Sequence, residues 1–188
     1  MNRATAAVIV LDFLLIGALP RCFFRREGRF NLQWWLTAWP FFACPLLLLA
    51  FALGVLPVPP RLLRLFPVQD LVALLPALAS LGLLFYTLGT HRIPIALWHQ
   101  EDDAPVEIVT WGAYARIRHP FYASFLLVFL AAALALPHPA ILALGLYAFV
   151  MLNRTAAREE RRLSSSHLGT EYAAYLQRTG RFLPRLLG

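Results

Sequence analysis

Arg118, His119 and Tyr122 cluster around Pro120, and further along the chain two carboxylates stand side by side, Glu159 and Glu160. Arginine and protonated histidine are charge-assisted donors suited to a carboxylate or phosphate, and a carboxylate accepts from hydroxyl and amino groups. The rings of Tyr114, Tyr122 and Trp111 add faces on which a flat heterocycle can stack. Pro120 suits the first turn of a helix, where unpaired N–H groups carry the positive end of the helix dipole and favour an anion. With Arg118 and His119 immediately before it, the loop reads as a carboxylate receptor. The same residues also suit a plainer role, because Arg and His at the ends of membrane spans reach out to lipid phosphates.

The elements that position these residues are membrane helices. The chain is 60% hydrophobic and 14% charged, with a mean hydropathy of +0.63, outside the range of an ordinary soluble domain. The fold class expected is an all-α integral membrane protein, one domain over residues 1–188, with a C-terminal amphipathic helix. A ~30 Å hydrocarbon core needs about 20 apolar residues per helix, and five spans are expected at about 4–24, 34–56, 70–90, 120–136 and 140–157. The fifth has to continue through Asn153, Arg154 and Thr155, since Ala140–Leu152 alone gives about 20 Å of helix, which puts Arg154 near the membrane boundary. Pro40, Pro45 and Pro76 would kink their helices. No small-residue cleavage site follows the first apolar run, so it is expected to stay as a helix. Cys22 and Cys44 read as packing residues.

Orientation follows from the positive-inside bias, carried here by arginine alone because the chain has no lysine. Residues 21–33, 91–118 and the tail beyond Leu152 are arginine-rich and belong inside; Arg61 and Arg64 run mildly against the pattern. The N-terminus is expected outside and the C-terminus in the cytoplasm, which brings loop and tail to one face. The net charge of +7 fits topology and attraction to anionic lipid, with no nucleic-acid partner. Arginine without lysine points to a GC-rich bacterial source and thus to an inner membrane. Asp12, in the first span, is a functional candidate by default as an intramembrane ionisable group, but no ionisable partner stands near it in sequence and it is not counted among the site residues. Glu101, Asp102 and Asp103 read as a solvated turn.

The run TWGAYARIRHPFY resembles the G-x-Y-x-x-x-R-H-P-x-Y motif of the isoprenylcysteine carboxyl methyltransferase and phospholipid N-methyltransferase superfamily, with Gly112, Tyr114, Arg118, His119, Pro120 and Tyr122 in register. Residues 158–184, REERRLSSSHLGTEYAAYLQRTGRFLP, are similar to its second motif: a Glu pair, a Leu, Gly-x-x-Tyr-x-x-Tyr and a terminal Pro. The resemblance implies a helical membrane methyltransferase that binds S-adenosylmethionine from the cytoplasm, through residues in about 106–122 and 153–184, and takes a lipophilic acceptor from the bilayer. It makes Gly112, Tyr114, Arg118, His119, Pro120, Tyr122 and Glu160 cofactor-binding. It also puts Arg154 and Glu159 at the reacting centre, although five residues on a straight helix separate two side chains by about 140°. Val106 stands where the isoprenylcysteine branch usually has a His, and Ser124 where a Gly is often seen, so the branch stays open.

Methyl transfer from a sulfonium needs neither metal nor covalent nucleophile, only alignment and exclusion of water. The acceptor is expected to react at oxygen, as an isoprenylcysteine-type carboxylate or a phenolic or other lipid hydroxyl. Phosphatidylethanolamine N-methylation is the alternative within the family; a non-enzymatic scaffold binding anionic lipid is the alternative outside it. Tyr172 and Tyr175 read as packing residues of a tail helix, Gly112 as a turn or close-approach residue and Gly169 as a helix end.

Overall fold

The computed structural model describes residues 1–19, 23–24, 28–57, 68–90 and 107–185. Its elements are α1 (Arg3–Gly17), α2 (Leu32–Ala52), α3 (Val68–Thr90), a 3-10 turn (Gly112–Ala115), α4 (Pro120–Ala135), α5 (Pro139–Ser164) and α6 (Gly169–Arg178). Among the described residues β structure is confined to two isolated bridges and every longer element is a helix, consistent with an all-α membrane protein. Cys22, the acidic residues 101–103 and Val106 lie outside the described residues.

By length and hydropathy α2, α3 and α5 can cross a membrane. With 15 and 16 residues, α1 and α4 reach about 22 and 24 Å, short of the ~30 Å apolar core. The first helix was expected to run to residue 24 and instead ends at Gly17, a poor helix former shortly before Pro20, which disfavours helix in the residue preceding it. Conversely, α5 outruns its expected end and continues to Ser164. The strong helix formers Ala156, Ala157, Arg158, Glu159, Glu160, Arg161 and Arg162 propagate it past the last apolar turn. That polar extension carries the Glu pair.

The start of α3 pins two other helices. Asp70 accepts from the Asn2 backbone N–H at 3.2 and 3.3 Å, placing a carboxylate at the positive end of α1, where Asn2 Oδ1 also caps Thr5 at 2.7 Å. One residue earlier, Gln69 Nε2 donates 2.8 Å to the Leu134 carbonyl in the last turn of α4. The start of α1, the start of α3 and the end of α4 therefore share one end of the bundle, and the end of α3 and the start of α4 share the other.

Pro40 and Pro45 lie within the continuous helix α2 and Pro76 within α3. Having no N–H, Pro40 cannot bond the carbonyl four residues back, which belongs to Leu36. The Tyr147 hydroxyl of α5 donates to that carbonyl at 2.9 Å, and its ring packs on Trp39 at 5.3 Å. Where α1, α2 and α4 meet, Phe13, Phe41, Phe125 and Phe129 form edge-to-face contacts at 5.0 to 6.4 Å. Cys44 is buried nearby, as a packing residue should be. Outward-facing Leu14, Leu46, Leu75, Phe85 and Leu146 remain exposed, the apolar exterior that lipid would cover.

Candidate cofactor site

At the end shared by the close of α3 and the start of α4, the chain re-enters through Gly112, whose φ of +59° lies in the left-handed region. A Cβ there would collide with the Thr90 side chain, and the Thr90 hydroxyl is in place because it accepts from Ala113 N–H at 3.2 Å and donates to the Tyr86 carbonyl at 2.8 Å. Gly112 is thus the turn residue that its reading as a turn glycine expected. The 3-10 turn that follows presents Tyr114, whose carbonyl accepts the Tyr175 hydroxyl at 2.7 Å. Buried Tyr172 and Tyr175 seat α6 beneath the turn, the packing role read from their spacing. Gly169 opens α6 rather than closing a helix.

Between this turn and α4 the loop pairs with the segment after α6 through an isolated bridge at Ile117 and Gly180. Arg118 N–H donates to the Gly180 carbonyl at 2.9 Å, Gly180 N–H to the Arg116 carbonyl at 3.1 Å, and His119 N–H to the Arg181 carbonyl at 3.1 Å. Gly180 is required by crowding, since a Cβ would run into the Leu183 carbonyl. The tail is thereby laced to the loop by backbone bonds that are independent of side-chain identity.

On this frame the two sequence motifs meet. Arg118 Nε donates to Glu160 Oε1 at 3.0 Å although 42 residues separate them, while its Nη1 bonds the Thr179 carbonyl. Tyr122 donates to Glu159 Oε1 at 2.8 Å. His119 lies between the two acids, Nδ1 3.3 Å from Glu159 Oε2 and Nε2 3.3 Å from Glu160 Oε1. The Nε2 approach is off the hydrogen-bonding direction and is an ion-pair contact only. The imidazole lies parallel to the Tyr122 ring, with centroids 5.4 Å apart and planes 1° from parallel.

Arg181 completes the cluster. Its Nε donates to Glu160 Oε1 at 3.1 Å, its Nη2 bonds Oε2, and its Nη1 donates to Asn153 Oδ1 at 2.7 Å. Burial alone would raise the Glu160 carboxyl pKa, but the ion-pair contact of His119 and the hydrogen bonds from Arg181 and Arg118 outweigh it and leave it well below the usual carboxylate range. Burial disfavours the His119 cation, yet its two carboxylate neighbours hold the pKa above the ordinary 6.5. Burial, reinforced by the charges of Tyr175 and Glu159, pushes the Tyr114 hydroxyl above its ordinary value.

Of the residues singled out by sequence, Arg118, His119, Tyr122, Glu159 and Glu160 share this network, while Gly112 and Tyr114 lie in the 3-10 turn and Pro120 at the start of α4, outside its bonds. The expected use of Arg118 and His119 as receptors for an incoming carboxylate meets a competitor, since Glu160 and Glu159 already engage them. Arg154 stands apart, exposed on α5 and joining none of the cluster's bonds. Asp12 is fully buried and faces Ser80, whose hydroxyl is spent on the Ser124 carbonyl at 2.9 Å; neither Asp12 oxygen has a hydrogen-bond partner. Sequence reading passed over Arg181, Asn153, Thr179 and Arg158. Arg181 belongs to the quoted second motif, which was the available signal. No family model, curated protein or solved structure matches the chain.

Proposed function

We propose that the chain is an S-adenosylmethionine-dependent membrane methyltransferase, of the isoprenylcysteine carboxyl and phospholipid N-methyltransferase type, that methylates a lipophilic acceptor at oxygen. The supporting observation is the meeting of the two motifs: Arg118, His119 and Tyr122 bond the Glu pair of α5 within 2.8 to 3.3 Å. A lipid anchor would turn its cations outward, whereas the Arg118 and His119 side chains are 11% and 9% exposed and turned inward onto acids. In this reading α1 and α4 complete a set of five membrane segments, with the N-terminus outside a bacterial inner membrane and the site and C-terminus at its cytoplasmic face.

The donor set suits the cofactor. Glu159 keeps acceptor capacity beyond Tyr122 and His119 for hydroxyl or amino groups, the left-handed turn at Gly112 offers backbone at close approach, and Arg158 Nε is a buried donor without an acceptor. Glu159, Glu160, Tyr114, Tyr122, His119 and Arg118 would hold it. The cofactor supplies a methyl group activated on a sulfonium sulfur. The chain aligns the acceptor with it and excludes water. A carboxylate acceptor is already ionised near neutral pH, so no residue has to remove a proton. Arg154, at the membrane boundary and outside the cluster, is assigned to the acceptor side.

The test is incubation of the purified protein with a labelled methyl donor and separate pools of phosphatidylethanolamine, a prenylcysteine analogue and a phenolic lipid. Label is expected in an oxygen-acceptor pool, and Arg154→Ala should abolish it while leaving cofactor affinity within a few-fold. Label chiefly in phosphatidylethanolamine would overturn O-methylation. No label in any pool, with retention on anionic vesicles, would favour the scaffold.

A further inference from the structure

Among the described cations that reach the cluster, one has no acid. Arg118 and Arg181 share Glu160, and His119 sits between Glu160 and Glu159. Arg158, immediately before the Glu pair on α5, makes no ion pair among the described residues. Its Nη2 donates to Thr155 Oγ1 at 3.3 Å, and its Nε is buried with no partner. Arg158 directly precedes Glu159 on α5, and the Glu159 carboxylate accepts the buried Tyr122 hydroxyl at 2.8 Å, so the Arg158 charge is fixed one residue from the Tyr122–Glu159 hydrogen bond.

An arginine that snorkels to lipid carries its whole head outward. Here Nε is sealed from solvent and one Nη is turned back onto its own helix, so the guanidinium is oriented without being satisfied. It remains charged at any working pH and its planar fork fits two oxygens at once. A buried donor left unpaired is costly, and an anionic oxygen arriving beside it removes that cost.

We propose that Arg158, tethered by Thr155, forms an oxyanion subsite next to the Tyr122–Glu159 pair and takes the carboxylate or phosphate group of a ligand entering the site. Two sources present that chemistry: the amino-acid end of the cofactor and the head of a lipophilic acid. The source assignment rests on the methyltransferase reading; the subsite itself does not.

Calorimetry in detergent separates them, using S-adenosylhomocysteine in one arm and hexadecanoate, hexadecanol and hexadecylamine in the other. Wild-type protein should bind hexadecanoate or S-adenosylhomocysteine in an Arg158-dependent way, and Arg158→Gln should weaken that ligand at least 10-fold. Loss for hexadecanoate alone assigns the subsite to the acceptor, and loss for S-adenosylhomocysteine assigns it to the cofactor; either supports the proposal. Arg158→Lys, which keeps the charge but loses the fork, should fall in between, and it serves as the decisive variant if the glutamine form does not fold. Wild-type affinity for both ligands in a folded variant, or a wild-type preference for the amine over the acid, would overturn the subsite. Absence of S-adenosylhomocysteine binding by wild type counts against the methyltransferase reading, and the subsite is then judged on hexadecanoate against hexadecanol.

Discussion

Glu160 accepts from Arg118 and Arg181 and touches His119, so its charge is stabilised by three cations from two distant segments. This network makes stability depend on pH with a defined sign. Because the folded Glu160 pKa lies below its ordinary 4.5, its contribution is complete above that value and is lost as pH falls through the depressed one. Because the folded His119 pKa lies above 6.5, its contribution is complete below 6.5 and fades as pH rises through the raised value. A melting series in detergent should therefore show a plateau from about pH 4.5 to about 6.5 with a decline on each side. Glu160→Gln should lower the plateau by about 3 kcal/mol, the cost of stripping a partner from a buried ion pair, and flatten the acid limb. An unchanged acid limb in that variant would show that another carboxylate sets it.

At the scale of elements, the bond from Tyr147 to Leu36 explains how α2 tolerates a proline in its first half. Tyr147→Phe leaves the Leu36 carbonyl without a donor and should cost about 1 kcal/mol, read as a lower unfolding midpoint with cofactor affinity unchanged. No loss would mean that Leu36 finds another donor. The limits of α3 and α4 were legible within two residues, since apolar runs and Pro120 mark them. The extent of α5 was not, because a membrane span is read by hydropathy and stops at charge, whereas a helix propagates by backbone propensity straight through Arg158, Glu159 and Glu160. At α1 the error ran the other way: continuing hydrophobicity hid the break that Gly17 and Pro20 impose.

For the whole molecule, α3 works from both ends: Gln69 and Asp70 fix the start of α1 and the end of α4, and Thr90 fixes the turn that opens the site. The composition and two motifs were enough to read an all-α membrane protein and five of the cluster's side chains. The contributions of Arg181, Asn153 and Thr179 were not legible, because they depend on the tail pairing back onto the loop at Ile117 and Gly180, a contact with no local periodicity. Arg154 and Glu159, paired by the resemblance, differ in their surroundings, Glu159 bonded to Tyr122 and Arg154 exposed on α5. The central claim is that the loop before α4 and the polar end of α5 form one cofactor site. Its most direct test is titration of S-adenosylhomocysteine into the wild-type protein and the His119→Ala and Glu159→Gln variants in detergent. Saturable heat with wild type, weakened at least 10-fold in both folded variants, is the predicted result; no heat with wild type, or equal affinity in all three, would contradict it.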